Sequence, residues 1–169
     1  MNNVEINKDM RLSEHFSLGE VCKTSHKTAD GNIPSHVAIE NLKNICENWL
    51  EDLRYSNNVL YRGEGREVSG ERILKEQPII INSGYRSPEV NKLAGGSPTS
   101  NHLTGCAVDI RCIGVEQALR YANILLDIAD GTKRDFDELF IERNKQGRYW
   151  IHFAVRPKEN RRKISFLQT

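Results

Sequence analysis

A carboxylate inside an apolar segment sets a strict condition on how this chain folds. In the stretch SNHLTGCAVDI, Asp109 stands between two residues of core character. A carboxylate in such a strand is costly to bury unless it is paired or bound to a cation. His102 lies upstream with Gly105 between, and this spacing fits a turn that leads into a strand better than one helical face. We therefore expect Asp109 to have a cationic partner; the alternative is an aspartate that faces solvent on an edge strand.

The remaining pattern predicts an α+β fold. Capping residues and apolar spacing predict helices from Ser35 to about residue 56, from Pro88 to the Gly95-Gly96 pair, and over 115–129. Short apolar or β-branched segments predict strands at 78–82, 105–111, 136–142 and 149–155. The last two strands are expected to form a hairpin. The expected architecture is an antiparallel sheet flanked by helices.

Length and composition predict one domain over residues 1–169, and the segment from Pro157 is expected to be a basic, peripheral tail. The 24 basic and 23 acidic residues give a net charge of +1, which argues against a nucleic-acid partner. No apolar run approaches the ~18 residues of a membrane helix, so no membrane partner is expected. The N-terminal stretch has no apolar signal-peptide core, which predicts a cytoplasmic location. No feature of the sequence indicates an oligomeric state.

A second histidine completes a candidate metal site. The strand WIHFAV holds His152 among apolar residues. A histidine in a strand is more often a hydrogen-bonded core residue than a ligand, but here it can join His102 and Asp109. Two imidazoles, one carboxylate and a fourth position left for water make the ligand set of a catalytic zinc site. Cys106 lies between two of these ligands. We expect it to be a small core residue, because a thiolate ligand would close the site.

Several separated motifs resemble one family. The stretch SGYRSPEVNKLAGGSPTSNHLTGCAVDI, together with WIHFAV, resembles the zinc D-Ala-D-Ala carboxypeptidases of peptidase family M15, in particular the branch often found in phage and prophage cell-wall enzymes. HLTGCAVDI also resembles the metal site of the hedgehog signalling domain, which shares that fold. The similarity covers roughly residues 10–156. It implies a hedgehog/DD-peptidase-like fold, one zinc ion per chain bound by His102, Asp109 and His152, and release by lysis or a phage-dependent route.

A hydrolase of this kind also needs a base that takes a proton from the attacking water. Some relatives place a glutamate three residues before the last histidine, where this chain has Tyr149. The candidates are Glu138 and Glu142. Both face the same side as His152 if the hairpin turn centres near Lys145. The resemblance favours Glu142, because members with a longer gap, and the hedgehog domain, carry a glutamate at the matching strand end. The alternative is a strand-end surface charge.

Four residues are candidates for binding the substrate. Arg86, in SGYRS, faces the metal in the family and can bind a carboxylate or a developing oxyanion; the alternative is an arginine that caps a turn. Ser100 matches a position near the substrate in the family, and a structural hydroxyl is the alternative. Tyr85 and Trp150 are candidates for lining the pocket, although an aromatic residue in a strand is more often there for packing.

These features imply a zinc peptidase acting on peptidoglycan stem peptides, of carboxypeptidase or endopeptidase type. One alternative is a non-catalytic zinc-containing binding protein of the same fold. A weaker alternative is a structural phage component that binds the cell wall. A glutamate within reach of the activated water distinguishes the hydrolase from the other two.

Overall fold

A five-stranded sheet with helices packed on one face organises the chain in a computed structural model that describes residues 7–60, 66–68, 71–73 and 76–169. The helices are α1 Leu18–Val21, α2 His36–Ile45, α3 Glu51–Leu60, α4 Pro88–Leu93 and α5 Gly114–Thr132. A π-helical turn, Cys46–Leu50, joins α2 to α3, and a 3-10 turn, Asn101–Thr104, precedes β4. The strands are β1 Arg66–Val68, β2 Glu71–Ile73, β3 Ile81–Ser83, β4 Ala107–Cys112, β5 Glu138–Arg143, β6 Tyr149–Ala154 and β7 Lys163–Gln168.

The predicted α+β class is confirmed by the sheet topology. The main sheet has the order β3-β4-β6-β5-β7, and its pairs are antiparallel except for the parallel pair β5–β7. Strands β1 and β2 form a separate antiparallel pair. This arrangement is compatible with the hedgehog/DD-peptidase-like fold that the sequence predicted.

The β5–β6 hairpin has the register that the sequence predicted. Residues 144–148 form its turn, and Phe140 lies opposite His152. In the same register Glu138 pairs with Ala154 and Glu142 with Trp150. Because side chains alternate between faces of a sheet, both glutamates lie on the face that carries His152.

The opposite face of the sheet supplies the hydrophobic core. Fully buried side chains of β4, β5 and β6 pack against α2, the π-helical turn, α3 and α5. Trp49, in the π-helical turn, lies with its ring centroid 5.0 Å from that of Phe153 and 6.3 Å from that of Phe136. The helices cover this apolar face of the sheet. A functional site can therefore form on the other face, which carries Asp109 and His152. We call it the polar face.

Two predicted helix starts are confirmed in detail. The Ser35 hydroxyl accepts a hydrogen bond from the Ala38 amide, and the Ser87 hydroxyl accepts one from the Val90 amide, both at 3.2 Å. The first long helix continues through the π-helical turn to Leu60, beyond the predicted end near residue 56. None of the described helices is long and apolar enough to cross a membrane.

Two segments differ from the prediction. The strand expected at 78–82 is Ile81–Ser83, because pairing with β4 begins at Ile81 and Pro78 has no amide hydrogen to give to a sheet. The tail expected to be basic and peripheral contains an edge strand that was not predicted, β7, which runs parallel to β5 from Glu138–Lys163 to Arg143–Gln168. A parallel neighbour needs a crossover rather than a local hairpin, so its pairing has no short-range sequence pattern.

Two further expectations concern residues that the structure describes only in part. The charged, glycine-bearing segment 58–76 is predicted from its composition to be a loop or an irregular hairpin; it includes the antiparallel pair β1 and β2, and 61–65, 69–70 and 74–75 lie outside the described residues. The single domain over 1–169 stays a prediction.

Candidate metal centre

His102 is presented by the 3-10 turn before β4. The Ser100 hydroxyl caps this turn by accepting a hydrogen bond from the His102 amide at 3.3 Å. Gly105 ends the turn with φ +70°, a left-handed conformation that favours glycine. A Cβ at this position would also overlap the carbonyl oxygen of Ala38 in α2. Gly105 therefore lets the chain pass close to α2 and enter β4 directly after His102.

A backbone carbonyl fixes the tautomer of His102. Its Nδ1 lies 2.5 Å from the carbonyl oxygen of Gly84, and the side chain is only 2% exposed. Because a carbonyl can only accept, Nδ1 carries the hydrogen. The lone pair of the neutral ring is then on Nε2, which lies 3.3 Å from Oδ1 of Asp109. The turn thus aims a metal-binding nitrogen at the carboxylate.

Asp109 and His152 are direct cross-strand neighbours in β4 and β6. The Nδ1 atom of His152 lies 3.0 Å from Oδ1 of Asp109, and the opposite ring nitrogen, Nε2, lies 3.3 Å from Oε2 of Glu138. Phe140 stacks on the imidazole with ring centroids 5.6 Å apart. Both Asp109 and His152 are buried, at 7% and 9% exposure.

The three side chains form a group that can hold a metal ion. In the described part of the chain, one potential ligand atom from each of His102, Asp109 and His152 lies within 4.8 Å of the others. Burial raises the pKa of Asp109, but the charges and hydrogen bonds of the two histidines outweigh it and hold the pKa well below its usual range. Burial lowers the pKa of His152, but the two carboxylates beside it raise it to about 9. The surroundings therefore favour positive charge at this point.

Arg86 lies directly beside the metal-capable group. Its Nη2 donates a hydrogen bond to Oδ2 of Asp109, and its Nε donates to the Ser83 hydroxyl at 2.9 Å. The backbone amide of Arg86 also donates to the carbonyl of His102 at 3.1 Å. The resemblance implied that Arg86 faces a metal site; in the structure its guanidinium holds the second oxygen of the Asp109 carboxylate.

Glu138 is held by three partners. Its carboxylate contacts Nε2 of His152, accepts from Nδ2 of the Asn101 side chain at 3.0 Å, and accepts from Nη2 of Arg161 at 2.7 Å. The hydrogen bond with His152 is the largest cause of a lowered pKa at Glu138. A carboxylate that receives the outer N–H of a ligand histidine orients that ring for metal binding.

Arg161 ties the C-terminal segment to this network. It donates to both oxygens of the fully buried Asp137, from Nε at 2.8 Å and from Nη2 at 2.6 Å, and Asn101 donates to the same carboxylate at 2.8 Å. Burial raises the pKa of Asp137, but these hydrogen bonds outweigh it and lower the pKa to about 2. Sequence reasoning missed Arg161 and Asn101, because the residues they join are far apart along the chain.

Glu142 has a different setting on the same strand. It is half-buried, and within the described residues its carboxylate makes no hydrogen bond or ion pair. Burial raises its pKa, and the nearby carboxylates of Asp109 and Glu138 add to the effect, while His152 and Arg86 oppose it. A carboxyl with a raised pKa and no fixed partner is well suited to accept and release a proton.

The remaining predicted residues divide between the core and the polar face. Tyr85 is 7% exposed within the hydrophobic core, so its position matches the packing alternative rather than a pocket wall. Ser100 caps the His102 turn, which matches the structural alternative for its hydroxyl. Trp150 is half-buried on the polar face beside Glu142. Cys106 is 3% exposed, and burial raises the pKa of its thiol.

Two histidines and one carboxylate are a ligand set that catalytic metal sites use, with a further position left open. Residues 68–141 match the family model described as Peptidase M15. This match supports membership of the peptidase M15 family, as the sequence motifs predicted, and peptidase activity in general. The matched segment contains Arg86, His102, Asp109 and Glu138. Among curated proteins, no match to the chain is found.

Proposed function

We propose that this protein is a zinc-dependent peptidase that cleaves peptidoglycan stem peptides. The observation that carries the proposal is the orientation of the two histidines. His102 directs its outer nitrogen to a backbone carbonyl and His152 directs its outer nitrogen to Glu138, so both inner nitrogens point toward Asp109. Three groups that can donate electron pairs and point at one buried place are arranged to hold a cation between them.

The donor set fits zinc. Tetrahedral zinc with bonds of about 2.0–2.1 Å to nitrogen and oxygen separates its ligand atoms by roughly 3.3 Å. The two histidine nitrogens lie 3.3 Å and 3.0 Å from Oδ1 of Asp109. Three protein ligands leave a fourth position for water, which is the pattern of catalytic rather than structural zinc. We therefore propose one zinc ion per chain.

The proposed reaction is hydrolysis of a peptide bond. Bound zinc supplies Lewis acidity toward the water and the peptide carbonyl. Glu142 takes a proton from the attacking water and delivers it to the leaving amine, a role that suits its raised pKa. Arg86 binds the substrate carboxylate or stabilises the developing oxyanion, and it keeps Asp109 in place. Glu138, already bound to His152, Asn101 and Arg161, is less free to move a proton.

The peptidoglycan substrate rests on the resemblance of SGYRS, the HLTGCAVDI stretch and WIHFAV to wall-cleaving M15 enzymes, and the Peptidase M15 match supports the reaction class. An arginine beside the metal-capable group also suits a peptide with a free carboxylate near the cleaved bond. A carboxypeptidase releases the terminal residue, and an endopeptidase releases a longer fragment. We further propose that the protein is made in the cytoplasm and released by lysis or a phage-dependent route.

The decisive experiment incubates zinc-loaded protein with defined muropeptides and identifies the products by mass spectrometry. Cleavage that stops when zinc is removed by a chelator and returns when zinc is restored is the expected result. The Glu142→Gln variant controls for a contaminating hydrolase. Tyr149, at the position where some relatives carry the base, favours the second candidate, a non-catalytic zinc-containing binding protein. Tight zinc and muropeptide binding without any cleavage would support that candidate.

A further inference from the structure

The polar face continues from the metal-capable group into a cleft of about 830 Å³. The cleft lies between the end of β4, the start of α5 and the β5–β6 hairpin, and its walls include Asn82, Arg111, Arg148 and Trp150. Sequence reasoning singled out Trp150 but not the two arginines. The cleft is large enough to hold part of an extended peptide.

Strand register places this cleft directly beside the proposed reaction centre. Arg111 pairs with Trp150 across β4–β6, and Trp150 pairs with Glu142 across β5–β6. The row of Asp109 and His152 lies two residues away along the same strands. Two residues of a strand correspond to about 6.5–7 Å. The cleft therefore begins about one substrate residue from the place where we propose that the bond is cut.

The charges in the cleft are positive and uncompensated. Arg111 and Arg148 are both exposed, and in the part of the chain that the structure describes neither guanidinium forms an ion pair or a side-chain hydrogen bond. No aspartate or glutamate is among the described residues of the cleft wall. By contrast, Arg161 on the same side of the molecule binds the carboxylates of Asp137 and Glu138 in the chain itself. The cleft arginines are thus available to a ligand.

We propose that this cleft is a specificity subsite for a carboxylate of the substrate peptide, one or two residues from the cleaved bond. Arg111 and Arg148 bind the carboxylate, and the half-buried ring of Trp150 packs against the adjoining peptide backbone. The substrate class is then an acidic peptide with a second negative group in addition to the one that Arg86 can bind. This inference rests on the proposed function for the position of the cleaved bond.

The test uses two synthetic muropeptides that differ only in one group, a free carboxylate or a carboxamide at that position. Binding to the zinc-loaded protein is measured by calorimetry, and cleavage by kcat and KM. We expect the wild-type protein to bind the carboxylate form on the order of tenfold more tightly, with less preference at high salt because the arginines are exposed. Arg111→Gln and Arg148→Gln should each reduce the preference and raise KM more than they lower kcat.

Lys145→Gln is the matched control. It removes the same charge from an exposed residue of the same hairpin, outside the cleft wall, and should keep the wild-type preference. Equal binding of the two peptides by the wild-type protein, or a preference that survives Arg111→Gln and Arg148→Gln, overturns the subsite even where both peptides are cleaved. A preference lost in both variants supports the subsite even where no cleavage occurs, and it is then the proposed peptidase that fails. Absence of binding to either peptide overturns both.

Discussion

The two ends of β5 carry glutamates on the same face of the sheet in opposite electrostatic settings. Glu138, at the first end, contacts His152, Asn101 and Arg161, and its pKa is lowered. Glu142, at the other end, is half-buried without a hydrogen-bonding partner among the described residues, and its pKa is raised. Identical side chains on one strand thus differ in freedom to exchange a proton. The proton affinity of each carboxylate on this strand is therefore decided by its partners rather than by its position along the strand.

Removal of His152 is expected to have the largest effect, because it takes away the ring that lies between the two glutamates. His152→Ala should reduce bound zinc from about one per chain to nearly none after dialysis, since three protein ligands leave no spare. Metal analysis by mass spectrometry of the purified protein checks this. His102→Ala and Asp109→Ala should behave alike. Exposed His36, outside the group, provides the control His36→Ala. Full zinc occupancy in His152→Ala would show that the ligand set is wrong.

Glu142→Gln tests the glutamate of β5 that has no hydrogen-bonding partner among the described residues. The amide keeps the size of the side chain but cannot accept a proton, and loss of a general base typically costs about 10²–10⁴-fold in rate. We expect zinc content and the unfolding transition to stay near those of the wild-type protein while kcat falls by this factor. A steady-state assay measures kcat, and metal analysis of the same sample measures the zinc content. Unchanged turnover in Glu142→Gln would remove Glu142 from the mechanism.

Glu138→Gln tests the glutamate of β5 that is held by His152, Asn101 and Arg161. Loss of a carboxylate behind a ligand histidine typically weakens metal binding by about 10–100-fold. We expect that weakening in a competitive chelator titration, with turnover at saturating zinc much closer to the wild-type value than in Glu142→Gln. If Glu138→Gln abolishes turnover at full zinc occupancy and Glu142→Gln does not, the two glutamates exchange roles.

Arg161→Ala extends the comparison to the C-terminal segment. Its side chain is 46% exposed, so we expect only about a threefold to tenfold loss of zinc affinity through Glu138. The neighbouring Arg162 pairs with Asp130 and Asp135, away from the metal-capable group, and Arg162→Ala is the matched control. Similar zinc affinities of the two variants would mean that Arg161 does not act through Glu138. Arg161→Lys should restore part of the affinity.

The loss of stability in Arg161→Ala is expected to depend on pH. The pKa of Asp137, about 2 in the folded protein, lies below its usual value near 4, so its ion pair stabilises the fold above pH ~4 and this contribution is lost as the pH falls toward 2. Urea unfolding of metal-free protein should therefore show a gap between wild type and Arg161→Ala that is largest near neutral pH and shrinks below pH ~4. A gap that widens on acidification would contradict this assignment.

Cys106→Ala should have the smallest effect. The thiol is buried and protonated, so its loss leaves a small cavity that costs on the order of 1 kcal/mol of unfolding free energy. Zinc content and most of the activity should remain. Loss of metal from this variant would show that the site is closed by a fourth protein ligand.

Much of the fold could be predicted because its patterns are local, and the grouping of two histidines with Asp109 could be predicted from the resemblance of separated motifs to one family. The two-residue period of a strand placed Glu138 and Glu142 on the face of His152, and a carboxylate inside an apolar strand pointed to a cation. The anchor of His102 could not be predicted, because the Gly84 carbonyl is a backbone atom whose direction depends on the tertiary fold. Arg161 was missed for a related reason, since its position depends on a parallel crossover.

The parallel pairing of β7 with β5 also determines the order in which the protein can mature during synthesis. The outer edge of β5 gains its neighbour only after residues 163–168 have left the ribosome, and Arg161 reaches Asp137 in the same late step. A nascent chain that has already made β3, β4, β5 and β6 therefore still exposes an unpaired strand edge, which is a site for mistaken pairing between chains. Completion of the sheet and full support of Glu138 behind His152 are thus events that follow translation of the last strand.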